Sequence, residues 1–261
     1  RADFESKWND MKIIIEYGML TEDKFFEKAK KFAMYADTDG GLHTFEAYLE
    51  SIKEHQTDKD KKTVVLYASN KDAQHSYIQN AKAKGYSVLL LDSPLTSHLL
   101  QKLEQEHENT TFARVDSDLI DNLIKKDETR VAKLSDKQKE ELKTRLETIV
   151  PTEKFTLKLE DMDSTEAPLV ITVPEFMRRM KEMQMTGGGG MMGMGDFPDM
   201  YDLIVNANHP LASKILDTED DEARSSAVNQ ALDLAKLQQN LLHGEELTAF
   251  IARSYEMLGN E

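Results

Sequence analysis

Residues 63–91 read TVVLYASNKDAQHSYIQNAKAKGYSVLLL, and this stretch decides the fold class. Its two ends, 63–68 and 86–91, are continuous apolar runs rich in residues that favour strands. Between them, Asn70 suits the start of a helix, and Gly85 suits the left-handed residue that often follows one. The order strand, helix, strand predicts a parallel pair, because a helical crossover returns the chain to the same end of the sheet.

The sequence that follows extends this unit. A helix is expected over 95–107, and a third strand over 111–115. Residues 62–126 are therefore predicted to form a small three-layer α/β unit, in which helices cover a short parallel sheet.

The sequence that precedes this stretch has the period of helices. Apolar residues recur at helical spacing in two groups, Trp8, Met11 and Ile15, then Phe25, Ala29, Phe32 and Ala36. A turn-rich run at 36–41 separates these groups from a third predicted helix. We interpret 1–57 as a helical segment that a polar linker joins to the α/β unit.

Residues 127–261 are predicted to form an α+β domain. Ser135 and Gln138 have the spacing of a capping box at the start of a helix. Strands are expected at 155–159 and 169–173, paired with each other in antiparallel fashion. A third strand and a short helix follow, before two long helices end the chain.

The two terminal helices, predicted over 220–242 and 245–258, form a helical hairpin. Their apolar residues cover wider arcs than a hairpin can bury against itself, so we expect a second copy to complete a four-helix bundle. The chain is therefore predicted to form a homodimer. The candidate interface residues are Leu234, Leu241, Phe250, Ile251 and Leu258.

A methionine-rich helix is predicted over 174–185. Its apolar residues fall on one side, and its charged residues supply the other; the apolar set is Phe176, Met177, Met180 and Met183. Methionine is common on promiscuous binding surfaces, but an ordinary helix packed on a core has the same pattern. The neighbouring glycine- and methionine-rich run, 187–194, favours an exposed element.

Composition and motif spacing exclude several functions. The formal charge of −15 argues against a nucleic-acid partner, and no apolar run is long enough to span a membrane. The chain has no cysteine, and its histidines lack the spacing of zinc ligands. The glycines at 187–190 lack the lysine of a phosphate-binding loop, and Asp37 and Asp39 fail the calcium-loop pattern. We therefore predict no catalytic residue, metal site or cofactor site in this chain.

Three segments, in the same order, resemble the ninety-kilodalton heat-shock family of chaperones. FESKWNDMKIIIEYGM (4–19) with FAMYADTDGGLHTFEAYLESIKE (32–54) resembles the helical part of the family's middle domain. The α/β segment continues into GYSVLLLDSPLTSHLLQKL (85–103), and YDLIVNANHPLASKIL (201–216) resembles a segment of the C-terminal domain. The resemblance covers essentially the whole chain.

The resemblance implies a function for the chain. It implies the end of a middle domain (1–57 and 62–126) followed by a C-terminal dimerisation domain (127–261), in a cytoplasmic stress-response chaperone of the bacterial branch. The family's ATP-binding domain and catalytic arginine would precede Arg1 in a longer protein. ATP, magnesium and ATP hydrolysis therefore belong to the intact protein, and this chain is expected to be a non-enzymatic module.

The resemblance also suggests which residues contact unfolded client proteins. The methionine-rich helix matches an amphipathic helix that projects into the cleft between protomers in the family. This match makes Phe176, Met177, Met180 and Met183 client-contact candidates. Further candidates come from the rest of the matched region, namely Ser97, His98, Gln101 and Trp8.

Two other functions stay open from the residues alone. The chain could be a stand-alone dimeric scaffold without chaperone activity. Alternatively, the chain could be an enzyme that uses the α/β unit, with its ligand at the carboxyl ends of the strands, near Ser69 and Asp92.

Overall fold

The computed structural model describes residues 2–127, 130–186 and 200–259. The chain divides into two compact units. The first contains Arg1–Asp127 together with Glu175–Phe197, and the second contains Glu128–Pro174 together with Pro198–Glu261. Each unit has a hydrophobic core of its own.

The first unit begins with helices packed on a shared core. Its helices before the parallel sheet are α1 (Ala2–Ser6), α2 (Trp8–Thr21), α3 (Asp23–Ala29) and α4 (Phe45–Ile52). The core of these helices is continuous with that of the sheet, because Trp8 and Phe45 belong to the same buried cluster as Val65 and Phe112.

The prediction that helical structure continues as far as Ala36 is wrong. The chain instead forms an antiparallel hairpin of β1 (Met34–Ala36) and β2 (Leu42–Thr44). The Asp37 side chain accepts hydrogen bonds from the amides of Asp39 and Gly41, each at 2.8 Å. These bonds close the turn. They also give the two amides an acceptor in place of the backbone carbonyls that a helix would offer.

The parallel sheet predicted from 63–91 is present. It contains β3 (Thr63–Ala68), β4 (Val88–Leu90) and β5 (Thr110–Arg114) in the order β4-β3-β5, and both pairs are parallel. β3 is central and almost fully buried, as its unbroken apolar sequence requires. Gly85 adopts a φ of +79°, which confirms its predicted place after a helix.

Helices follow the strands of this sheet, and a later segment of the chain adds a further helix to the unit. They are α5 (His75–Ala83), α6 (Thr96–Glu106), α7 (Ile120–Leu123) and, from the later segment, α9 (Glu175–Thr186). Leu99, Leu100 and Leu103 of α6 are at most 2% exposed, and they fix this helix on the core.

The second unit contains a mixed sheet. Its strands are β6 (Phe155–Glu160), β7 (Leu169–Thr172) and β8 (Tyr201–Asn206), in the order β6-β8-β7. The predicted antiparallel pairing of the first two strands is wrong, because β8 lies between them, parallel to β6 and antiparallel to β7. β8 takes the central place because its last four residues are all buried, whereas β6 alternates between buried and exposed positions.

Helices complete this unit. They are α8 (Asp136–Glu147), α10 (Pro210–Asp217), α11 (Asp221–Gln238) and α12 (Gly244–Gly259). The capping box of Ser135 and Gln138 is present at the start of α8. α11 ends earlier than the predicted 242, because Asn240 adopts a φ of +55° and closes the helix. Of the helices within the described ranges, none has both the length and the apolar content that crossing a bilayer requires.

Candidate functional site

Helix α9 turns its apolar side towards solvent. Phe176 is 71% exposed and Met180 is 39% exposed, while Met177 and Met183 are half-buried. An amphipathic helix packed on a core buries such residues, so α9 has the opposite orientation. The neighbouring run 187–194 lies outside the described residues.

The charged side of α9 faces the first unit through Arg178, which is 7% exposed. Its guanidinium donates to the carboxylate of Glu175 at 2.7 Å, to the hydroxyl oxygen of Tyr67, and to Glu182 one turn later. Glu182 in turn accepts a hydrogen bond from Ser97 of α6. The buried cation is thus surrounded by oxygen acceptors on two sides.

Arg179 makes a second set of contacts with the same unit. Its guanidinium donates to Glu104 of α6 at 2.9 Å, to the backbone carbonyl of Phe112 in β5 at 2.8 Å, and to Glu175 at 2.6 Å. The planar guanidinium can satisfy several acceptors at fixed angles, which an ammonium group cannot do. One side chain therefore ties α9 to a helix and to a strand of the sheet.

Glu175 is the shared acceptor of this cluster. It accepts from the Tyr67 hydroxyl at 2.9 Å and from the Arg114 amide at 3.3 Å. Burial opposes its charged form, but the neighbouring charges of Arg178 and Arg179 outweigh burial and hold the pKa of the carboxyl below its usual range. Burial also raises the pKa of Tyr67, so its hydroxyl stays protonated and serves as a donor.

The terminal hairpin of the second unit also presents apolar side chains to solvent. Leu234 is 54% exposed, Ile251 is 44% exposed and Leu258 is 76% exposed. Two other predicted interface residues lie further inside, since Phe250 is 8% exposed and Leu241 packs partly on the core of the unit.

Polar contacts lie between the two helices of this hairpin. Arg253 of α12 donates to Asp233 of α11 at 2.5 Å and to Gln230 at 2.9 Å. Lys236 of α11 forms an ion pair with Glu246 of α12 at 3.2 Å. The charges thus join the helices to each other, and no part of the chain that the structure describes covers the exposed apolar side chains.

A family model described as Hsp90 protein matches residues 1–260 of this sequence. The chain belongs to the Hsp90 protein family. This finding confirms the family resemblance found in the sequence. Among curated relatives, chaperone protein htpG of Bacteroides fragilis strain 638R is 37% identical, with 99% of this chain and 48% of the relative covered.

Two further relatives are also named chaperone protein HtpG. The protein of Bacteroides thetaiotaomicron is 36% identical, with 99% of this chain and 48% of the relative covered. The protein of Porphyromonas gingivalis strain ATCC 33277 is 41% identical, with 91% of this chain and 35% of the relative covered. This Hsp90-family chain spans about half the length, or less, of the curated relatives it matches.

The remaining client-contact candidates of this Hsp90-family chain lie at different depths. His98 is half-buried and Gln101 is exposed, and both line a shallow groove of about 280 Å³ beside Lys102. Ser97 is only 3% exposed and Trp8 only 4%, with the indole packed against Phe4 at 5.7 Å between ring centroids. In this conformation, neither of these two side chains presents a surface to a partner.

The carboxyl ends of β3 and β4 border a cavity of about 330 Å³, which Ser69 and Asp92 help to line. The Ser69 amide and hydroxyl both donate to the Gln74 side chain, at 2.8 and 3.3 Å, and Asp92 pairs with Lys12 at 2.5 Å. Among the described residues, the Ser69 hydroxyl thus donates to an amide oxygen and not to a base that would activate it, and its amide is already bonded and not free to hold an anion. Within the described ranges, no three His, Asp or Glu side chains converge as metal ligands.

Sequence reasoning missed several exposed apolar side chains. They are Leu237, Tyr255 and Met257 in the hairpin, and Ile13, Ile14 and Tyr17 in α2. Helical spacing could have identified Tyr255, which lies four residues after Ile251 and three before Leu258. The exposed positions of α2 carry no comparable signal, because apolar residues occupy both sides of that helix.

Proposed function

We propose that this chain holds two copies of an Hsp90-family chaperone together and contacts unfolded client proteins. In this proposal, residues 127–261 contain the dimerisation domain, and the outer side of α9 forms a client-contact surface. ATP and magnesium binding, ATP hydrolysis and a cytoplasmic location are assigned to the intact protein, on the strength of its family.

The outward apolar side of α9 is the observation that carries this proposal. Leaving apolar surface in water costs roughly 25 cal/mol for each Å², so a stable helix gains nothing by exposing Phe176 and Met180. Contiguous exposed apolar patches on folded proteins commonly mark interaction sites. Methionine adapts its shape to different partners, which suits a surface that meets many unfolded sequences.

The terminal hairpin supports the dimer proposal in a similar way. Its exposed side chains recur at helical spacing, Leu234 with Leu237 on α11 and Ile251 with Tyr255 and Leu258 on α12. A twofold axis would place this stripe against its own copy and remove it from water. Phe250 would then support the interface from below, because it is already buried within its own chain.

Client binding by a double variant tests the proposal. Phe176→Asp with Met180→Asp places two charges on the outer side of α9 without entering the core. We expect the affinity for reduced, carboxymethylated α-lactalbumin, a permanently unfolded protein, to fall about tenfold or more, which is about 1.4 kcal/mol or more. The thermal unfolding temperature and the mass in solution should not change.

Val131→Asp is the matched control, because Val131 is 80% exposed and lies in the second unit. It adds the same kind of charge to an exposed apolar position outside α9, and it should leave client affinity unchanged. Unchanged affinity in the double variant would contradict the client-contact proposal. A wild-type chain that dimerises but binds no unfolded protein would favour the stand-alone scaffold.

A further inference from the structure

Polar contacts of three residues hold α9 on the rest of the first unit. Arg178, Arg179 and Glu175 contact α6, β3 and β5 through hydrogen bonds and ion pairs. Phe176 and Met180 of the helix are exposed and point away from these contacts. Met177 and Met183 are half-buried, but neither belongs to the hydrophobic core cluster of the unit, so the polar contacts are the main described anchor of the helix.

A helix held in this way depends on its partner charges. α9 has 12 residues, and isolated helices of that length are only marginally stable in water. Removing one member of a buried ion-pair cluster leaves the remaining charges without compensation, which is strongly unfavourable. A lost contact should therefore release the helix, and the released segment should lose helical order.

Glu104 of α6 is the residue that anchors α9 to the rest of the first unit. Its carboxylate accepts from the Phe112 amide at 2.9 Å and from the Arg179 guanidinium at 2.9 Å. It thereby joins α6, β5 and α9 at one point. Lys181, in the same helix, has an exposed side chain.

We propose that Arg178 and Arg179 are positioning residues, which keep α9 helical and docked so that Phe176 and Met180 share one outward face. The inference rests on the proposed function, because it assigns these residues a role in presenting the client-contact surface. It also makes the client-contact surface depend on salt. Salt ions compete for the guanidinium groups, so a high salt concentration should undock α9 and remove the ordered outward face.

Hydrogen exchange of the α9 amides in the client-free chain tests the docking step. Arg179→Met should increase the exchange rate of these amides about tenfold or more. Lys181→Met is the matched control, because it removes the same charge from an exposed position of the same helix, and its exchange should equal that of the wild type. Raising the salt concentration should increase exchange in the wild type more than in Arg179→Met.

Two further variants separate positioning from general damage. Glu104→Gln removes the charge that faces Arg179 but keeps an acceptor for the Phe112 amide, so it should also increase exchange in α9. Arg179→Lys restores the charge without the planar fork, and it should recover the protection in part. Exchange in β3 should stay at the wild-type level in both variants.

Affinity for reduced, carboxymethylated α-lactalbumin completes the test. Arg179→Met and Glu104→Gln should each weaken binding severalfold, and Lys181→Met should not. Wild-type exchange in α9 of Arg179→Met would overturn the inference. Faster exchange in Arg179→Met with unchanged client affinity would also overturn the positioning role. Failure of the proposed function itself would appear differently, as unchanged affinity in the double variant of Phe176 and Met180.

Discussion

Helix α9 and the terminal hairpin both expose apolar side chains, but the contacts on their inner sides differ. The inner side of α11 contains Val228, Ala231, Leu232 and Ala235, each at most 7% exposed, so the hairpin has a hydrophobic anchor as well as ion pairs. The inner side of α9 has Arg178 and Arg179 in the corresponding role. The hairpin is therefore suited to a permanent partner, and α9 to partners that bind and leave.

The largest effect is expected from a substitution on the buried apolar side of α11, which anchors the hairpin. Val228 is fully buried, and Val228→Asp would place a charge in an apolar site. We expect the free energy of unfolding to fall by about 4 kcal/mol or more, measured by chemical denaturation. Phe176→Asp, the same kind of change on the outer side of α9, should alter it by less than about 0.5 kcal/mol. Equal losses in the two variants would remove the distinction between the two regions.

A charge on the outer stripe of the hairpin should separate the two copies. Ile251→Arg would place an unpaired charge in the proposed interface, and we expect the dimer dissociation constant to rise about 100-fold, or about 3 kcal/mol. Light scattering over a dilution series measures this change. Val131→Arg is the control and should leave the mass unchanged. A monomeric wild-type chain at micromolar concentration would contradict the dimer proposal.

Acid should loosen α9 before it loosens the hairpin. The pKa of Glu175 is held below its usual range, so its charge stabilises the docked helix at neutral pH, and this stabilisation is lost as the pH falls through the lowered pKa. The carboxylates of Glu104 and Glu182 and the guanidiniums of Arg178 and Arg179 belong to the same cluster.

Hydrogen exchange measured over a pH series checks this expectation. After correction for the intrinsic pH dependence of exchange, protection of α9 should decline below about pH 4.3, the ordinary range of glutamate. The buried apolar contacts of α11 do not titrate, so its protection should persist to lower pH. Simultaneous loss in both regions would contradict the proposed difference.

The smallest expected effect comes from an ion pair of the hairpin. Glu246→Gln removes the charge that pairs with Lys236; the Glu246 side chain is 57% exposed, and Lys236 keeps its pair with Asp233. Exposed pairs contribute little, so the free energy of unfolding should change by less than about 1 kcal/mol, and the dimer should stay intact. Chemical denaturation measures this change. The same measurement on Arg253→Met, which removes the pair with Asp233, gives the comparison. A loss of several kcal/mol would show that charges hold the hairpin as they hold α9.

Local patterns predicted much of the fold. The apolar runs at 63–68 and 86–91 predicted the parallel strands, and Gly85 and Ser135 marked helix ends, because each of these signals acts within a few residues. The hairpin at Met34–Ala36 was missed, because its apolar residues also fit a helical period. The mixed sheet was missed, because its central strand lies about thirty residues beyond the neighbour that the sequence suggested.

The candidate site was predictable only in part. Periodicity identified the two sides of α9, but it does not say which side packs on the rest of the first unit. The inward orientation depends on Tyr67, Glu104 and Phe112, which are distant in sequence and offer acceptors at the right places. The same limit applies to Trp8 and Ser97, whose burial depends on neighbours that the local pattern does not contain.

Site-specific photo-crosslinking tests the central claim most directly. A photoreactive phenylalanine analogue replaces Phe176 in one sample and Val131 in another, and each is irradiated with reduced, carboxymethylated α-lactalbumin. The exposed side of α9 is proposed as a client-contact surface, so the probe at position 176 should crosslink to the unfolded protein, and the probe at 131 should not. Absence of crosslinks at 176, or equal crosslinking at both positions, would contradict it.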